Sequence, residues 1–64
     1  MADRESPSEV LFEFTPVGAV VRVAAIDAAT GIEVTVMGPV TAARSDLERL
    51  ALRKLKARLA RETS

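Results

Sequence analysis

A chain of 64 residues without cysteine or histidine has neither disulfides nor the commonest metal ligands to brace it. Its net charge is zero, yet residues 1–40 set two arginines against six carboxylates (−4), and residues 41–64 set seven cations against three carboxylates (+4). A disulfide scaffold and a histidine-based catalyst are excluded, and no apolar run nears the ~20 residues of a membrane span.

Such a short chain makes one small domain, which buries only roughly 60% of its unfolded surface. With disulfides and metal removed, association with a second copy is the expected support. Residues 1–8, "MADRESPS", are polar and contain Pro7, so they read as a flexible N-terminus. They lack the basic-then-apolar pattern of a secretory signal, and a cytoplasmic protein is expected.

A single domain is expected over residues 9–62. The first strand spans about 9–15, where Val10, Phe12 and Phe14 alternate with Leu11, Glu13 and Thr15. "TPVG", Thr15 to Gly18, reads as a turn, with proline at its second position. A second, more apolar strand spans about 19–27. In "AAIDAATGIEV" the loop falls on Ala28 to Gly31, where Asp27 and Thr30 can bond to backbone and Gly31 supplies a left-handed residue. The third strand spans about 31–37, and Gly38-Pro39 ends the sheet.

These loops set a register. The first puts Phe14 opposite Ala19, Phe12 opposite Val21 and Val10 opposite Val23. The second puts Asp27 opposite Ile32, Ala25 opposite Val34 and Val23 opposite Val36. Both give the middle strand the same parity, so one face collects Val10, Phe12, Phe14, Ala19, Val21, Val23, Ala25, Ile32, Val34 and Val36.

The last third changes period. Leu47, Ala51, Leu55 and Leu59 recur every fourth residue, with Leu50 and Leu52 beside them, which predicts one amphipathic helix over about 42–61. "SDLE", Ser45 to Glu48, matches a capping box, with Thr41 as a competing cap. The fold class is therefore α+β: a three-stranded antiparallel β-meander and one C-terminal α-helix packed on one sheet face (βββα).

One helix covers one face. The other carries Leu11, Val20, Arg22, Ala24, Ile26 and Met37 and is the candidate self-association face, the partner expected being a second copy in a homodimer. On the helix, Arg49, Arg53 and Lys56 lie opposite the leucine stripe and are the candidate nucleic-acid contacts. Zero net charge and the assignment of both aromatics, Phe12 and Phe14, to the core weigh against that reading. Glu9 and Glu13 lie diagonal to Arg22 and read as surface ion-pair partners rather than catalytic carboxylates. Gly18, Gly31 and Gly38 stand alone at strand ends, so no glycine loop cradles phosphate.

The pattern "VLFEF…VGAVVRVAAIDAATGIEVTVMGP…DLERLALRKL", over roughly residues 10 to 59, resembles an uncharacterised family of short alphaproteobacterial proteins. Some similar sequences carry a serine hydroxymethyltransferase label. A pyridoxal-phosphate enzyme needs a Schiff-base lysine in a built pocket, and the only lysines, Lys54 and Lys56, sit on a short surface helix. No catalytic residue, cofactor or metal site is expected, and no membrane contact. The expected function is a small non-catalytic intracellular interaction or structural module acting as a homo-oligomer. The alternative is weak RNA or DNA binding through the basic helix. A different protein partner, such as an enzyme served as accessory subunit, fits the same surfaces.

Overall fold

Three antiparallel strands precede one helix: β1 (Val10–Val17), β2 (Val20–Asp27), β3 (Glu33–Pro39) and α1 (Arg44–Thr63). The structure, a computed structural model, describes residues 9–63; the N-terminus read as flexible over residues 1–8 lies outside them. The sheet order is β1-β2-β3, and α1 rests on β2 and β3, so the architecture is α+β, βββα.

The second hairpin has the register that the sequence implies: Ala25 faces Val34 and Val23 faces Val36. Asp27 N donates to Ile32 O at 2.9 Å, and Gly31 N donates to Asp27 O at 2.7 Å across the four-residue loop. Gly31 has φ +77°, a conformation in which a Cβ is strained.

The first hairpin differs. Val17 pairs with Val20, so the loop is Gly18-Ala19 rather than Thr15 to Gly18. Phe14 faces Val23, Phe12 faces Ala25 and Val10 faces Asp27, four residues from the expected partners. Gly18 takes φ +63° while Ala19 does not turn positive, the pattern of a type II′ turn, whose twist suits a tight hairpin. Pro16 is then not a turn residue. Pairs alternate outward from the turn, so Pro16 sits in a non-hydrogen-bonded pair with its nitrogen facing away from β2, where an edge strand tolerates it. Because four is even, every side chain keeps its expected face. Only Ala19 leaves the apolar set, being exposed in the turn.

The core is small. Val23, Ala25 and Val34 from the sheet meet Leu47, Ala51 and Leu55 from the helix, with Val10, Phe12, Phe14, Val21, Ile32, Val36, Ala42 and Leu59 packed partly buried around them. Phe12 and Phe14 are half-buried because α1 lies over β2 and β3 and leaves β1 at the margin.

Gly38 and Pro39 do not end the sheet; both belong to β3. Gly38 faces the helix, and a Cβ there would stand 2.5 Å from Leu47 Cδ2, so the bare Cα makes room for the first helical turn. A turn closes from Ala42 N to Pro39 O at 3.0 Å and uses up Thr41. Ala43 O then accepts from Asp46 N at 3.1 Å and Leu47 N at 3.2 Å. The helix therefore starts at Arg44. Ala43 holds the cap position, and Ser45 is already inside the first turn, so neither Ser45 nor Thr41 caps it.

Candidate interaction surfaces

The pairing places all six residues of the candidate self-association face on the side of the sheet away from α1. Leu11 lies beside Ile26, Arg22 beside Met37, and Ala24 between Glu13 and Thr35. Leu11 and Met37 are 47% and 58% exposed, whereas Val20 and Ile26 are half-buried and Ala24 is screened by its neighbours. The face thus offers two apolar ends with a polar waist of Glu13, Arg22 and Thr35. Val17, 55% exposed, joins one end beside Val20 and Pro39. The sequence reading missed Val17 because it placed that residue in a loop; a glycine at the first central position of a two-residue turn is the signal that finds it. Arg22 lies diagonal to Glu13 as expected, but the two form no ion pair.

The helix distributes its cations over different tasks. Lys54 Nζ reaches across to donate to Thr35 O on the outer edge of β3 at 2.7 Å. Arg58 pairs with Glu62 at 2.9 Å, and Arg44 stacks over the Phe14 ring 3.9 Å from its centroid. Of the three candidate nucleic-acid contacts, Arg49 makes a long 3.5 Å pair with Asp46, and Arg53 and Lys56 stand exposed. Together they form a short basic ridge on the outer helix face.

In the Ala28–Gly31 loop, Asp27 is buried at 3% exposure, and its Oδ2 accepts from Thr30 N at 3.1 Å and Thr30 Oγ1 at 2.7 Å. Thr30 Oγ1 accepts in turn from Ile32 N at 3.2 Å. These polar groups satisfy one another and hold the hairpin, as buried polar atoms must. Two hollows flank β1. One, of about 250 Å³, lies among Phe14, Pro16, Val21, Val40, Arg44 and Leu47. The other, of about 320 Å³, lies among Phe12, Ser45, Glu48, Arg49 and Leu52. Among the described residues, no cluster of three or more Asp or Glu is placed to hold a metal, and no helix is long and apolar enough to cross a membrane.

The model of a family described as Domain of unknown function (DUF6898) matches residues 7–62, and the chain belongs to that family. No curated protein and no solved structure matches it.

Proposed function

We propose that this chain is a small non-catalytic interaction module that associates with itself through the sheet face away from α1. The observation that carries this reading is the exposure of Leu11, Val17 and Met37 on the one sheet face that the helix leaves bare. A domain with so small a core gains from covering them, since each square ångström of apolar surface removed from water is worth about 25 cal/mol. A second copy suits the face because Arg22 at its waist lies diagonal to Glu13, with no ion pair between them, and a two-fold partner supplies both groups again. The lack of cysteine fits work in the reducing interior of a bacterial cell, and no cofactor is required.

Light scattering at micromolar concentration tests the reading. The expected mass is a multiple of 6.8 kDa. Met37→Glu, which sets a charge in the contact without touching the core, is expected to lower it. A strict monomer ends the proposal.

The exposed ridge of Arg49, Arg53 and Lys56 supports a second reading, weak RNA or DNA binding. Titration into labelled RNA and DNA at several salt concentrations reads it, since phosphate contacts release counterions and weaken as salt rises. Absence of salt-sensitive binding at low ionic strength removes this alternative.

A further inference from the structure

The two outer edges of the sheet are unlike. On β3, Lys54 occupies the outward carbonyl of Thr35, and Pro39 has no donor to offer at the strand's end. On β1, Glu9 O accepts from Ala28 N, and alternation from that bond turns the backbone groups of Val10, Phe12, Phe14 and Pro16 outward. The helix leaves this edge uncovered, and half-buried Phe12 and Phe14 each line a hollow beside it. An open edge with apolar side chains is a template for one more strand.

We propose that β1 pairs antiparallel with β1 of a second copy across a two-fold axis at Phe12, joining two three-stranded sheets into one of six strands. The proposal rests on the self-association reading and adds a second contact to it.

The register is what points to a second copy. Only the even-numbered residues bond outward, so symmetric pairings differ by steps of two residues. Centred on Phe12, Phe12 faces its equivalent and Val10 faces Phe14 of the second copy, in both directions. Every donor in these pairs exists, and two bonds form in each. On the opposite face Glu13 then meets Leu11, and Glu9 meets Thr15. Centred on Glu13, the pairing sets the two glutamates directly against each other and asks Pro16 for an N–H it lacks. Centred on Leu11, it sets Glu13 against Glu9. Like charges directly opposite destabilise a sheet, so the Phe12 register is favoured over both neighbours. On the core side it merges Val10, Phe12 and Phe14 of both copies into one apolar row. Where the edge and face two-fold axes cross at right angles, copies that make both contacts close a tetramer, two six-stranded sheets face to face.

Amide hydrogen exchange of the full chain, read by NMR at rising concentration, tests the edge directly. The amides of Phe12 and Phe14 are expected to gain protection with concentration; those of Glu13 and Thr15 face β2 and serve as internal controls. Val10→Pro removes an outward donor that the fold itself does not use. It is expected to halve the associated mass with the circular dichroism spectrum unchanged, and in combination with Met37→Glu to return the chain to 6.8 kDa. An associated chain whose Phe12 and Phe14 amides exchange freely at every concentration overturns the edge contact and leaves self-association standing. So does a Met37→Glu variant that is already a single chain. A wild-type monomer throughout overturns both.

Discussion

Gly31 and Gly38 are needed for different reasons, and substitution separates them. Gly31 has open space around it, so Gly31→Val costs backbone strain alone, about 1–3 kcal/mol at φ +77°. Gly38 carries no φ strain but stands against Leu47, so Gly38→Ala forces that side chain to move, at about 1–3 kcal/mol. Urea unfolding measures both, and a neutral Gly38→Ala would show that the helix does not seat Leu47 there. Thr30→Ala is expected to be milder, about 1 kcal/mol, since Asp27 keeps the Thr30 backbone N–H. This loop was legible in sequence because aspartate, threonine and glycine each do local work within five residues.

At the scale of the element, the helix shows where local signals mislead. Ser45 and Glu48 have the spacing of a capping box, but β3 runs to Pro39 and the following turn carries the chain to Ala43 before the helix begins. Ser45→Ala is therefore expected to stay within about 0.5 kcal/mol of the parent, where loss of a true cap costs about 1 kcal/mol. Leu55→Ala removes a fully buried side chain at the centre of the stripe and is expected to cost about 2–5 kcal/mol. In so small a domain that is enough to leave much of the chain unfolded at 25 °C, as circular dichroism would show. The stripe was legible because buried positions on a helix recur with its turn. β1 was read too short because proline signals a turn more often than an edge strand.

For the whole molecule, the opposite charges of the two halves fall on opposite layers. The cationic half is the helix, with Arg49, Arg53 and Lys56 on its outer surface; the exposed carboxylates Glu9, Glu13 and Glu33 lie in or beside the sheet. A contact between the sheet of one copy and the helix of the next cannot close as a dimer and would build a larger ring or an open filament. Face and edge contacts both close. The expected association therefore reaches a fixed mass as concentration rises. It also persists in molar salt, because apolar burial is not screened as charge pairs are. Sedimentation velocity at low and high salt reads both. Continuous growth in mass, or dissociation in salt, would instead favour stacking of sheet on helix.

The sequence by itself determined the fold class, the parity of all three strands, the second hairpin and the buried stripe of the helix. Alternation, helical periodicity and turn chemistry are properties of neighbouring residues. It therefore also placed Leu11, Val20, Arg22, Ala24, Ile26 and Met37 on one face. The four-residue shift of the first hairpin is also a local matter, set by the two-residue Gly18-Ala19 turn, whereas the tertiary structure alone decided the start of the helix and the edge left open. Each depends on a fit between distant parts: Leu47 into the space at Gly38, Lys54 onto Thr35 O, and α1 lying over β2 and β3 rather than β1. No local period encodes those fits, because they arise only when the two layers meet.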